Sequence, residues 1–209
     1  MQVKICGITN VEDAVVATDC GADAIGLIFY AGSKRFIEPR AAAKIIDSVP
    51  PYTSVVGLFV DASESQITEV LRCCPLSQLQ FHGSESPMFC VGFDRPYVKS
   101  VPVSDASEMA SVVAAHTSAR GYLFDTQVPG QHGGTGKSFD WRLMPEKNIG
   151  HRVLAGGLDA ENVSEAIRIA APDAVDVSSG VELEPGVKDH DKLDRFITAA
   201  KRTLEAASE

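Results

Sequence analysis

The sequence has no CxxC pair, no apolar run long enough to cross a bilayer and no surplus of positive charge. Its five cysteines (Cys6, Cys20, Cys73, Cys74 and Cys90) form an odd set. That argues against a disulfide framework and against a zinc site, and it predicts a reducing, cytoplasmic setting. No apolar stretch reaches the ~18 residues of a membrane span. Met1 leads directly into the strand-like run Val3–Ile8, leaving no room for a charged segment followed by an apolar one, so neither export nor membrane insertion is expected. Lys and Arg number 19 against 28 Asp and Glu, a net charge of −9. A phosphate backbone or an anionic membrane is bound by clustered Lys and Arg, so neither is an expected partner. A small anionic ligand is still allowed wherever the positive field is local.

What the chain does have is an ordinary soluble balance, 44% hydrophobic and 22% charged, over 209 residues. That length suits a single domain, residues 1–209, with one sizeable core. Short β-rich runs recur, and the segments between them carry apolar residues at helical spacing. The predicted strands are Val3–Ile8, Ala24–Tyr30, Thr53–Val60, Leu76–His82, Tyr97–Val101, Gly121–Asp125, Arg152–Ala155 and Ala174–Ser178. The predicted helices are Val11–Cys20 behind the cap Asn10, Pro39–Ser48, Glu64–Cys73, Ala106–His116, Asn162–Ala171 and Asp189–Ala207, with the fourth and sixth helical segments short or irregular. Strict β/α alternation implies a parallel sheet with right-handed crossovers, and eight units permit closure into a (β/α)8 TIM barrel. An open, flavodoxin-like α/β sheet is the structural alternative.

In such a barrel the active site gathers at the C-terminal ends of the strands. The polar residues there are few. Cys6 ends Lys4-Ile5-Cys6 and is followed by Gly7, which leaves it unshielded at a strand terminus; a buried inert thiol is the alternative. Asp125 ends Tyr122-Leu123-Phe124, and its alternative is a carboxylate capping the next loop. Together they could face one another across the barrel mouth as an acid/base pair acting on opposite sides of a small substrate. Arg35, just beyond the second strand, can grip a carboxylate with two hydrogen bonds. His82 can serve as proton donor or as a hydrogen-bonding wall.

Gly156-Gly157 and Ser178-Ser179-Gly180 follow the seventh and eighth strands, where many such barrels bind phosphate through backbone N–H groups. Two tight turns are the plainer reading, but their occurrence on adjacent strands favours a phosphate cradle. Gly130–Ser138 resembles a nucleotide-binding loop only superficially. GxxxxGK[ST] would need Gly at position 131, which is Gln131, so ATP is not implied and the segment is read as a loop over the site. Its Lys137 could meet an anion, with a solvated lysine as the alternative.

Taken in order, these residues resemble the phosphoribosylanthranilate isomerase family over nearly the whole chain. The resemblance is carried by Lys4-Ile5-Cys6-Gly7-Ile8-Thr9, Gln80-Phe81-His82-Gly83, Gly133-Gly134-Thr135-Gly136, Phe139-Asp140-Trp141, Leu154–Leu158 and Asn162-Val163. Val175–Glu182, Pro185-Gly186 and Lys188-Asp189 complete it. It implies an Amadori rearrangement of a phosphoribosyl-anthranilate, with Asp125 as general acid and Cys6 as general base. An acid and a base working at neutral pH need surroundings that push a carboxyl and a thiol in opposite senses. The substrate serves as electron sink, so neither metal nor organic cofactor is implied. The substrate-binding set is Arg35 on the anthranilate carboxylate, His82, Gly156, Gly157, Asp176, Ser179 and Gly180.

Strand alternation puts Lys4 and Cys6 on one side of the first strand and Asp176 and Ser178 on one side of the last. Asp176 therefore either pairs with Lys4 beneath the site or hydrogen-bonds a sugar hydroxyl. The expected partner is a small-molecule phosphosugar, with the protein a monomer or homodimer. Rival readings are another phosphosugar barrel, a broad-specificity isomerase serving the histidine and tryptophan pathways, and a non-catalytic phosphosugar-binding barrel.

Overall fold

The computed structural model describes residues 1–103, 105–126, 138–146 and 149–205. Eight strands, β1 (Gln2–Cys6), β2 (Ala24–Ile28), β3 (Ser54–Phe59), β4 (Gln78–Phe81), β5 (Tyr97–Val103), β6 (Gly121–Thr126), β7 (His151–Leu154) and β8 (Ala174–Val177), lie in sequence order around a closed barrel. β8 pairs in parallel with β1, Lys4 opposite Asp176, which rules out the open-sheet alternative. The helices are α1 (Val11–Asp19), α2 (Pro39–Ser48), α3 (Glu64–Cys73), α4 (Pro87–Cys90), α5 (Ala106–Ala115), α6 (Val163–Ala170) and α7 (His190–Glu205).

Local chemistry sets the boundaries. Gly7 adopts φ +75, so β1 stops at Cys6 instead of running to Ile8. Asn10 caps α1 by accepting from the Asp13 amide, Pro39 opens α2, and Ser63 with Gln66 forms a capping box on α3. The fourth helical segment is short, the α turn Pro87–Cys90 running into a 3-10 turn, Val91–Phe93, and Phe81, Phe89, Phe93 and Tyr97 pack there as a ring cluster with centroids 5.1–6.1 Å apart. In the described part of the sixth unit a 3-10 turn, Trp141–Leu143, follows β6 and no α-helix is present. The hairpin formed by β9 (Glu182–Glu184) and β10 (Val187–Lys188), turning at Pro185-Gly186, was not apparent from the sequence.

Period-two alternation divides each strand between two cores. Val3, Ile5, Ile25, Leu27, Phe59, Leu79, Val175 and Val177 face outward onto Ala14, Ala17, Ala42, Ile45, Ile67, Ile167 and Phe196 of the helices. The intervening residues fill the barrel in two small groups, Cys6 with Ile28, Leu58 and Val60, and Leu123 with Val153, Ala155 and Ala174. With so little apolar volume at the upper end of the barrel, the polar residues of the same parity meet there. Among the described residues no helix is long and apolar enough to cross a membrane.

Candidate active site

The mouth is organised from both ends of the chain. Lys4 donates to Oδ1 of Asp176 at 2.8 Å, an ion pair between β1 and β8 that is almost wholly buried. Of the two arrangements open to Asp176, the pairing with Lys4 is therefore present. Burial works against the Lys4 charge, but Asp176 and Cys6 outweigh it and hold the ammonium above its ordinary range. Burial pushes the Asp176 carboxyl up, and the Asp125 charge adds to that against the opposing pull of Lys4 and His82.

Cys6 lies one strand position above this pair on the same side. It is not the unshielded group its position beside Gly7 implied: only 4% exposed, it packs on Ile28, Leu58 and Val60. Burial pushes its thiol up from the ordinary value, the opposite of the shift that favours a free thiolate. Lys4 and Lys188 pull it down, and Asp176 pushes it further up. The Cys6 carbonyl is fixed by Lys188 Nζ at 2.7 Å, which also donates to Ser178 O at 3.2 Å and so fastens the tops of β1 and β8 together.

Arg35 crosses the loop after β1: a Cβ on Gly7 would lie 2.6 Å from Arg35 Cδ. Its guanidinium grips Glu182 of β9 in two parallel bonds, Nε to Oε1 at 2.8 Å and Nη2 to Oε2 at 2.6 Å, while Lys188 donates to Oε1 at 2.8 Å. Burial pushes the Glu182 carboxyl up, but Arg35 and Lys188 outweigh it and hold it below its ordinary range. Arg35 thus arrives already oriented, with N–H groups beyond the two spent on Glu182 available for a second carboxylate.

Across the mouth, Asp125 at the end of β6 accepts the Thr126 amide on Oδ1 at 2.7 Å and presents Oδ2 to Nε2 of His82 at 3.5 Å. The Gln80 amide nitrogen lies 3.2 Å from Nδ1 of His82. An amide nitrogen only donates, so the neutral imidazole keeps its proton on Nε2, facing Asp125. The backbone flanking His82 is braced by Lys99, which donates to Gly83 O at 2.5 Å and Phe81 O at 3.3 Å, and pairs with Glu85 at 3.1 Å. Glu85 in turn accepts from the amides of Gly83 and Asp61.

Gly156 (φ +83) and Gly157 (φ +63) follow β7, and among the described residues no group accepts from either amide. A Cβ on Gly156 would meet Thr126 Oγ1 at 2.5 Å and Asp125 Oδ1 at 2.9 Å. The loop is held by Asn162, which donates to Gly157 O at 2.9 Å. Ser179 and Gly180 lie in a 3-10 turn against it, so close that a Cβ on Gly180 would stand 1.9 Å from Leu158 O. The two glycine turns therefore form one contiguous backbone surface beside Asp125. Of the stretch read as a loop over the site, Gly130–Ser138, all but Ser138 lies outside the described residues.

The structure thus brings Cys6, Asp125, His82, Arg35, Asp176 and both glycine turns to one end of the barrel. Sequence reasoning assigned no role to Glu182, Lys188, Gln80, Lys99 or Glu85. Gln80 and Lys99 showed as an amide and a charge inside apolar strand patterns, Leu79-Gln80-Phe81 and Val98-Lys99-Ser100, and Gln80, Glu182 and Lys188 lie in motifs that carry the resemblance without a role of their own.

A family model described as N-(5'phosphoribosyl)anthranilate (PRA) isomerase matches residues 3–199. The N-(5'-phosphoribosyl)anthranilate isomerase of Acidithiobacillus ferrooxidans is 52% identical over 204 residues, covering 97% of this chain and 98% of that protein. The crystal structure of phosphoribosyl anthranilate isomerase from Thermotoga maritima superposes with a TM-score of 0.89 at 41% identity, covering 97% of this chain and 99% of that one. A phosphoribosyl anthranilate isomerase in complex with reduced 1-(o-carboxyphenylamino)-1-deoxyribulose 5-phosphate superposes with a TM-score of 0.86 at 40% identity and the same coverage. With the barrel, its polar mouth and near-complete alignment in agreement, the chain belongs to the N-(5'-phosphoribosyl)anthranilate isomerase family.

Proposed function

We propose that this chain converts N-(5'-phosphoribosyl)anthranilate to 1-(2-carboxyphenylamino)-1-deoxyribulose 5-phosphate, the aldose-to-ketose step of tryptophan biosynthesis. The observation that carries the reading is a thiol and a carboxyl on opposite strands at the mouth of a closed barrel whose relatives bear that name. Asp125 gives a proton to the furanose ring oxygen as the C1'–O bond breaks and the anilino nitrogen lone pair forms the iminium. Cys6 as thiolate then takes the C2' proton. The C–H electron pair becomes the C1'–C2' double bond, the iminium electrons return to nitrogen, and the enol relaxes to the ketone. Burial makes the thiolate scarcer at neutral pH, but each one that forms is a stronger base.

Arg35 receives the anthranilate carboxylate, His82 hydrogen-bonds beside Asp125, and Asp176 offers Oδ2 to a sugar hydroxyl. The amides of Gly156, Gly157, Ser179 and Gly180 receive the phosphate, where the glycines let backbone approach the oxygens. The five unpaired thiols support a reducing, cytoplasmic location. A coupled assay tests the whole reading: substrate is generated in situ and its fluorescence followed. Decay no faster than spontaneous breakdown rejects it, and turnover of the histidine-pathway aldose in parallel would move it to the broad-specificity alternative.

A further inference from the structure

Three cations surround Cys6, and their hydrogen bonds distinguish them. Lys188 has three ammonium protons and three oxygen partners, Cys6 O, Ser178 O and Glu182 Oε1, at 2.7, 3.2 and 2.8 Å. It has no donor left for sulfur. Arg35 turns its Nε and Nη2 edge to Glu182. Lys4 differs: among the described residues its Nζ has one oxygen partner, Asp176 Oδ1, so two of its protons are not taken by oxygen.

Those protons lie beside the Cys6 sulfur because β2 carries no side chain at Gly26. Cys6 and Gly26 are register partners, and a Cβ placed on Gly26 would meet Cys6 Sγ at 2.8 Å and Lys4 Nζ at 3.1 Å. Both groups border the same small space, within the range over which opposite charges shift each other's ionisation. The remaining wall of that space, Ile28, Leu58 and Val60, is apolar and keeps the field unscreened. The charged groups facing Cys6 are therefore Lys4 on its own strand, Asp176 on β8, Lys188 on β10 and Arg35 from the loop after β2.

Resting on the reading of Cys6 as the base, we propose that Lys4 is a positioning residue that stabilises the Cys6 thiolate when it forms, and that Asp176 sets how much of the ammonium's charge reaches the sulfur. When the C2'–H bond breaks and the S–H bond forms, Lys4 keeps all its protons and only its hydrogen-bonded partner changes. The directions of the Cys6 shifts agree: burial raises the thiol, Lys4 lowers it and Asp176 raises it.

Two substitutions must then act with opposite sign. The test is the rate of iodoacetamide alkylation of Cys6 against pH, read by mass spectrometry on the peptide that contains it. Lys4→Met removes the ammonium, and the midpoint should rise by about 1–3 pH units. Asp176→Asn removes the carboxylate but leaves the ammonium, and the midpoint should fall. Lys4→Arg should restore a midpoint near that of the wild type. A merely structural role would change access to the thiol, scaling the rate at every pH while leaving the midpoint in place. An unmoved midpoint in folded Lys4→Met, or an upward move in Asp176→Asn, overturns the proposal. Where Lys4→Met does not fold, the sign in Asp176→Asn decides alone. Alkylation requires no turnover, so the result is independent of whether Cys6→Ser loses activity, which tests the base assignment itself.

Discussion

His82 on the loop after β4 and Asp125 at the end of β6 face each other over the intervening β5, with Nε2 3.5 Å from Oδ2. That separation is long for a made hydrogen bond and short enough to become one when a substrate draws the two together. Gln80, two residues before His82 on the same face, reaches Nδ1 and fixes which nitrogen carries the proton.

Replacing His82 with Asn should remove that donor while leaving Asp125 in place. The expected loss is roughly 10- to 100-fold in kcat, the equivalent of one hydrogen bond to a charged group. Steady-state kinetics check it: a wild-type kcat would show that Asp125 works without the imidazole.

Cys6→Ser and Asp125→Asn should each lower kcat by about 10²- to 10⁴-fold, the usual share of one general acid or base. Both changes nearly preserve shape, so circular dichroism and product binding should hardly move. A folded Cys6→Ser enzyme turning over at the wild-type rate would end the base assignment, and full activity in Asp125→Asn would end that of the acid.

Arg35→Lys keeps the charge and loses the planar fork that now engages Glu182 on two bonds. Weaker binding worth about 1–3 kcal/mol is expected, appearing mainly in KM. Unchanged KM in Arg35→Ala would put the anthranilate carboxylate on another residue.

Gly156→Ala should damage binding and chemistry together. The residue sits at φ +83, and its new methyl would press on Thr126 and on the Oδ1 of Asp125. A fall in kcat accompanied by weaker inhibition by inorganic phosphate is the expected pair of results. Weaker phosphate binding with an intact kcat would mean that Asp125 does not feel this turn.

Glu182 should give the fold an acid-sensitive element. Its folded carboxyl titrates below its ordinary value of 4.5, so the stability it contributes is complete above that pH and is lost as pH falls through the folded pKa. Urea unfolding from pH 7 down to pH 3 should show wild type losing stability more steeply than Glu182→Gln below about pH 4.5. Parallel curves would show that Arg35 and Lys188 do not stabilise the ionised form.

The barrel was legible because its evidence is periodic. Runs such as Val3-Lys4-Ile5-Cys6 and Ala24–Ile28 alternate between two cores, and glycines or caps such as Gly7 and Asn10 mark where they end. Site positions followed from the same periodicity, since strand ends in a parallel barrel converge. Strand alternation offered the Lys4–Asp176 pair as one of two arrangements, but the other ion pairs of the site were not legible. Arg35 with Glu182 and Lys99 with Glu85 join residues whose spacing carries no repeat. The strands of the Glu182–Lys188 hairpin, three and two residues long, are too short to show a period. The burial of Cys6 depends on side chains from β2 and β3 and on Val60 just beyond, which nothing next to Cys6 in sequence reveals.

The bonds that complete the mouth join opposite ends of the chain: Lys4 reaches Asp176 across 172 positions, and Lys188 reaches the Cys6 carbonyl across 182. Contacts of such separation form late, after the loop between them has been ordered. During synthesis Cys6 emerges with the first strand, but the residues that fix its carbonyl and hold its companion ammonium emerge with the last. A ribosome-bound chain that has released seven strands therefore carries both the thiol and the carboxyl of Asp125 without the bonds that tie Cys6 and Lys4 to β8 and the hairpin after it. On refolding, recovery of catalysis should trail recovery of helical signal and coincide with the joining of β8 to β1.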